Sequence, residues 1–337
     1  MSAMTVPRRP GPPPARRVLA VIVLVPVIVA IALSAFAWPA ARMAPRDLPV
    51  GVAGPVAAAD QLEQGLEQRG GAFEVHRYDS ANAARAAIED REVYGAVVAT
   101  PQGPELLTAS AASPVVAQLL EGAVAQHTPP GSEPRVTDVV AAPSADPRGA
   151  VLGASVLPLA LAAVASGAVL FLLGLRGLRA VTALTGAAAL TGLVAAALAH
   201  SWLGVLTGDW WAEAGVLGLS VLAGAAAVAG SAALLGRAGL GLGALLVVLL
   251  GNPLSGVTSA PQLLPEPAGA IGQLLPPGAG GALLRSVSFF DGSGAGMPAL
   301  VLAVWTVLGL AAVLLGSLRT ARTAGETRAE RRPVPVG

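Results

Sequence analysis

Glu74, His76, Asp79 and Glu92 form the one cluster in this chain whose residue types could bind a metal or exchange protons. A metal site needs three or four ligands at fixed spacing, and acid–base chemistry needs two groups held against one substrate. Here the stretch reads as a strand, which puts Glu74 and His76 on the same side, as solvated surface. His127 and His200 stand singly and read as ordinary histidines. There is no cysteine and no lysine. Missing cysteine removes thiolate nucleophiles, disulfides and zinc–thiolate sites, and missing lysine removes Schiff-base chemistry and the phosphate-binding lysine of a P-loop. No catalytic, cofactor-binding or metal-binding residues are assigned, so the chain is expected to be neither an enzyme nor a cofactor protein. Nothing in it points to nucleic acid.

The arginines carry more information than the acids. Hydrophobic residues make up 54% of the 337 residues, charged residues only 12%, and the mean hydropathy is +0.68, which is membrane composition. Six long charge-free stretches divide the chain. The first lies between Arg17 and Arg42, and the others run 149–175, 180–208, 214–236, 238–265 and 292–318. Each exceeds the roughly 20 residues that a helix needs to cross about 30 Å of hydrocarbon. Arg8, Arg9, Arg16 and Arg17 precede the first stretch, Arg176 and Arg179 separate the second and third, and Arg237 separates the fourth and fifth. Arg319, Arg322, Arg328, Arg331 and Arg332 follow the sixth. The intervening segments hold most of the acids. Arginine-rich short segments stay cytoplasmic, so both ends are expected inside.

The expected fold class is therefore a polytopic α-helical membrane protein with six transmembrane helices and an extracytoplasmic α/β domain between the first two. In order, the expectation is a cytoplasmic Pro/Arg tail (1–17), spans at 18–38, 151–174, 180–202, 214–236, 238–257 and 297–318, and a cytoplasmic tail (319–337). The α/β domain occupies 39–148, and an outer-face re-entrant or interfacial hairpin occupies 258–296. Arg16, Arg17 and Ala35-Phe36-Ala37 imitate a secretory signal. The apolar core is too long for one, so an uncleaved anchor is expected. Arginine for every basic side chain, with abundant Ala, Gly and Pro, suggests a GC-rich bacterial genome and hence a bacterial cytoplasmic membrane.

Between Leu48 and Pro143 the pattern changes to alternation. LPVGVAG reads as a strand, Ala57 to Arg69 as an amphipathic helix with Leu62 and Leu66 on one face, and AFEVHRY as a second strand. Ser80 caps a helix through ANAARAAIEDREV, and GAVVAT is a third strand. ELLTAS, a helix at Pro114 to Gln126 and PRVTDVVAA complete the order β-α-β-α-β-β-α-β, expected as one layer of helices on a sheet.

No buried charge is expected within the six spans, which argues against a proton-driven antiporter. Small residues recur at helix-packing spacing as Gly149 and Gly153, Ser220 and Gly224, and Gly239 and Gly243. Asn252-Pro253 breaks the fifth span. The segment after it is too broken by Pro and Gly for a span and too apolar for a free loop, so short helices are expected near 269–275 and 280–290. Glu266 and Arg285 are expected to pair there, because an isolated charge at that depth is costly.

One span, a large α/β domain, then five spans with a broken hairpin before the last resembles the type-2 ABC exporter permeases and their YhgE/Pip-like relatives. The residues that carry the resemblance are IEDREVYGAVVATPQG at 88–103, GNPLSG, and LLPPGAGGALLRSVSFFDG near the end. The resemblance implies a membrane permease subunit that exports a lipid, polymer or hydrophobic compound with a separate cytoplasmic ATPase, and that works as a homodimer or paired subunit in the lipid bilayer. The relatives without an ATPase imply instead a membrane-anchored cell-envelope interaction protein that does not transport.

Overall fold

The computed structural model describes residues 14–101, 103–126 and 135–330. His127, most of the Pro/Arg tail and residues 331–337 lie outside the described residues. The described residues are mainly helical with one small sheet, and among them five helices are long and apolar enough to cross a membrane. These are α1 (Pro14–Ala41), α5 (Ala150–Leu172), α6 (Gly177–Ala196, continued by a π turn Ala197–Trp202), α7 (Trp210–Leu235) and α11 (Gly296–Glu330). The fifth expected span, 238–257, is shorter than the charge-free stretch suggested. It comprises α8 (Arg237–Ala244) and a π turn Leu245–Leu250, after which Gly251 and Asn252-Pro253 turn the chain. At 1.5 Å per residue that gives roughly 21 Å, short of the hydrocarbon thickness of about 30 Å.

Between α1 and α5 lie β1 (Leu48–Ala53), α2 (Val56–Glu67), β2 (Phe73–Tyr78), α3 (Ala81–Glu89), β3 (Gly95–Thr100), β4 (Gly103–Thr108), α4 (Pro114–Ala125) and β5 (Arg135–Asp138). This is the element order read from the sequence. The sheet order is β2-β1-β3-β4-β5, parallel except for the β3–β4 hairpin. Local chemistry sets the helix starts. The Ser80 Oγ accepts from the Ala83 N–H at 3.1 Å, and the Ser113 Oγ accepts from the Val116 N–H at 3.2 Å ahead of Pro114.

The helices do not form one layer. Val97 faces Leu106 in the β3–β4 register, on one side, with Leu66 of α2 and Leu120 of α4; Ala96 and Leu107 face the other side, with Ala84, Ala87 and Ile88 of α3. Successive crossovers explain this. The step from β1 to β2 runs one way along the sheet and the step from β2 to β3 runs back, so right-handed crossovers place α2 and α3 on opposite faces.

Helix α7 is the hub of the helical part and packs against α5, α6, α8, α10 (Pro276–Phe289) and α11. Two carboxylates anchor its neighbourhood. The Asp209 Oδ1 accepts from the Ala212 N–H at 2.8 Å and caps α7. Asp146, only 6% exposed, accepts from the backbone N–H groups of Ala150, Val151 and Leu152, so a carboxylate sits on the positive end of α5. After the α8 turn, a single 3-10 turn (Pro261–Leu263), α9 (Ala268–Gln273) and α10 form the broken hairpin. The two short helices fall close to their expected positions.

Candidate functional site

The hairpin and the sheet domain close on each other, and the seam holds a cavity with several polar side chains in its walls. Its volume is about 270 Å³, and its walls include Arg91, Tyr94, Gln262, Gln273 and Arg285. Arg91 follows α3 directly and adopts a left-handed backbone, φ 62°. A non-glycine residue there is uncommon. The turn carries its side chain across the seam, where Nη1 donates to the Ala282 carbonyl at 3.0 Å and to the Ser286 hydroxyl. The guanidinium also lies over the Phe290 ring, 5.3 Å from its centroid. The Tyr94 hydroxyl donates to Gln262 Oε1 at 2.9 Å, and the backbone N–H groups of Ala44 and Arg46 donate to the Leu263 and Gln262 carbonyls. The seam therefore fixes the sheet domain against 261–290 at several points.

Arg285 is 6% exposed and its Nη2 donates to the Val257 carbonyl at 2.9 Å. The expected pair with Glu266 does not form. Glu266 is exposed, and among the described residues no ion pair joins it to Arg285. The carboxylate is exposed ahead of α9, outside the packed interior that holds Arg285, so it escapes the desolvation that a buried pair would have to offset. Burial lowers the Arg91 pKa, and the Tyr94 hydroxyl is pushed up by burial against the opposing pull of Arg285 and Arg91. Two guanidiniums thus line one cavity.

A second polar cluster, not expected from the sequence, lies at the start of α7. Helix α7 begins at Trp210, four residues before the expected start, so Glu213 lies in its first turn and is fully buried. Its Oε2 is 2.8 Å from His200 Nδ1, and its Oε1 accepts from the Gly208 N–H at 2.8 Å. His200 does not stand alone, and a helix of spanning length does carry a buried acid. The π turn at 197–202 turns His200 toward α7; without that extra backbone residue per turn its direction would differ. The signal that could have found the pair was the Trp210-Trp211 start with Asp209 as cap, which moves Glu213 from a loop into a helix.

The other expected residues resolve as follows. Glu74 and His76 lie 3.5 Å apart with exposed side chains, and Glu92 is exposed and accepts from the Tyr78 hydroxyl at 3.3 Å. Asp79 is exposed as well. Among the described residues no group of three His, Cys, Asp or Glu is placed to hold a metal. Gly149 is the left-handed N-cap of α5, φ 62°, and a Cβ there would meet the Pro114 ring at 3.3 Å. The remaining small residues sit at helix contacts. A Cβ on Gly153 would meet Thr258 at 2.9 Å, one on Gly224 would meet Ala163 at 2.9 Å, and one on Gly243 would meet Val228 at 2.7 Å. Gly239 abuts the Ser231 carbonyl, and Ser220 faces Gly280. Asn252 and Pro253 are half-buried and line a cleft of about 400 Å³ between α1 and α5, together with Phe36, Met43 and Leu157. Ser255, Gly256 and Val257 form a wall common to that apolar cleft and the cationic cavity. No family model, curated protein or solved structure matches this chain.

Proposed function

We propose that the chain is a permease-like membrane subunit that exports a lipid, polymer or other hydrophobic compound and draws energy from a separate cytoplasmic ATPase. The observation that carries this reading is the apolar cleft between α1 and α5, which lies at the flank of the helical bundle and ends against the hairpin that bears the sheet domain. A compound leaving the bilayer core would meet such a cleft before any polar surface. In this reading the arginine-rich segments lie in the cytoplasm, the sheet domain and the hairpin face outward, the termini are inside, and two copies associate in a bacterial cytoplasmic membrane.

A second reading is favoured by one specific observation. The connection from α5 to α6 spans only Leu173 to Arg176, and Gly236 alone links α7 to α8. Those tight turns leave little surface for an ATPase to push on, and a cell-envelope interaction protein that does not transport would need none. Purification from membranes under mild detergent, followed by ATP-dependent efflux measurements in proteoliposomes, separates the two. An associated ATPase and ATP-dependent efflux are expected for the exporter; consistent absence of both would leave the interaction protein. Topology is checked independently with Ser80→Cys, which should react with an impermeant maleimide in intact cells if the sheet domain faces outward.

A further inference from the structure

We propose that the cavity between the sheet domain and the α9–α10 hairpin is a binding site for a phosphate-bearing ligand, held by Arg285 and Arg91. Four observations converge on it. The cavity of about 270 Å³ far exceeds the about 10–15 Å³ that one water requires, so it can admit a phosphoryl group. Two guanidiniums line it, and among the described residues neither makes an ion pair. The one acid in its walls, Glu92, has an exposed side chain engaged by Tyr78. The Arg285 Nε–H is buried and has no hydrogen-bond partner, although a buried charged donor left unmade is costly. Guanidinium is the side chain best matched to phosphate, because its planar fork gives parallel charge-assisted bonds. A bound phosphate would satisfy the orphan donor and cancel the repulsion between the two cations in one step.

The phosphate can belong to a lipid headgroup of net negative charge or to a free anion; zwitterionic phosphatidylcholine, whose choline would be brought against the two guanidiniums, is the background. The wall formed by Ser255, Gly256 and Val257 puts the apolar α1–α5 cleft immediately beside the cationic cavity, an arrangement that suits a headgroup in one and an acyl chain in the other. This assignment does not depend on the export reading, since a resident structural lipid would bind equally well.

The test uses the full-length protein in nanodiscs. One arm is pure phosphatidylcholine titrated with inorganic phosphate; the other is phosphatidylcholine with phosphatidylglycerol. Melting temperature and the lipid retained in native mass spectrometry are read for the wild type, Arg285→Gln and Arg91→Gly. Arg91→Gly suits the left-handed backbone at that position but gives up the contacts to Ala282, Ser286 and Phe290, so each variant's binding is read as the ligand-dependent shift from its own ligand-free melting temperature. The expected result is a wild-type melting shift and lipid retention with phosphatidylglycerol, reduced tenfold or more in Arg91→Gly. A shift with inorganic phosphate alone, lost in the same variant, supports the site with a free anion as its ligand. Binding of neither probe by the wild type, or equal binding by wild type and Arg91→Gly, overturns the proposal. ATP-dependent efflux plays no part in this readout, so the outcome stands whichever functional reading holds.

Discussion

Helices α1 and α7 are both long enough to cross a membrane, yet none of the most apolar 18-residue stretch of α1 is buried by the rest of the chain, against 72% in α7. The difference lies in side-chain size and not in apolarity. Helix α1 is built from Val, Ile and Leu with no glycine, whereas α7 contains Gly215, Gly218, Gly224 and Gly230 among many alanines. In lipid there is no hydrophobic force to push helices together, because hydrocarbon solvates Leu as well as another helix does. Association there depends on close backbone contact, which small residues permit. A Cβ on Gly192 of α6 would fall 2.4 Å from the Ala214 carbonyl oxygen, and one on Gly309 of α11 would fall 2.4 Å from the Ala226 carbonyl carbon. Helix α7 is central because backbone atoms reach it from both sides. Helix α1 presents many branched side chains, and among its described side chains only Pro39, near its end, is buried.

The comparison can be broken most directly by adding bulk where backbones meet. Gly192→Val and Gly309→Val each place side-chain atoms on carbonyl groups that cannot rotate away, so each should cost more than about 3 kcal/mol, the upper end of ordinary overpacking. Loss of monodisperse protein in size-exclusion chromatography is expected, and normal yield with an unchanged melt would refute the close-contact account. A somewhat smaller effect is expected at the foot of α7. His200→Ala leaves the buried Glu213 carboxylate without its partner, a change that costs about 3 kcal/mol, at the low end for a buried pair because the His200 side chain is 30% exposed. A thermal melt in detergent reads it, and Glu213→Gln, which keeps an acceptor for Gly208, should lose less.

The seam between the sheet domain and the hairpin comes next. Tyr94→Phe removes one hydrogen bond to Gln262 and should lower stability by about 1 kcal/mol, with faster hydrogen exchange in residues 261–264 as the local signature. The smallest effect belongs to α1, where Ile28→Ala should change stability by no more than about 0.5 kcal/mol if lipid alone surrounds the helix. A larger, concentration-dependent loss would mean that a second copy covers α1. Because the chain has no cysteine, Val27→Cys introduces a unique thiol, and disulfide cross-linking between copies in membranes distinguishes the two cases.

The contrast between α1 and α7 also explains how much of the candidate site could be read in advance. The spacing of Gly239 and Gly243 pointed to a helix contact because three residues of separation is a local property. Arg285 was singled out by its isolation in an apolar stretch, but its partner was assigned to Glu266 by proximity in sequence. The groups that share its environment are Tyr94 and Arg91, almost two hundred positions earlier, and proximity could not suggest them. Glu213 falls just outside the fourth expected span because that span is bounded by the edge of a charge-free run. Helix ends, however, are set by caps and by who satisfies the first N–H groups, not by where charge stops. For the fifth span the Asn252-Pro253 break is visible in the sequence, but the expected bound of 257 follows the charge-free composition past it, whereas the helix ends at Leu250.

The sequence by itself determined the apolar stretches, the alternation of the sheet domain, the Ser80 cap and the two short hairpin helices, because each follows from periodicity, capping or composition within one segment. Tertiary structure alone decided that the α2 and α3 helices cover opposite faces, that His200 meets Glu213, and that Arg91 and Arg285 share a cavity. These depend on segments brought together across a sheet or a helix interface, and the distance between two side chains is then set by the whole packing and not by their spacing in the chain.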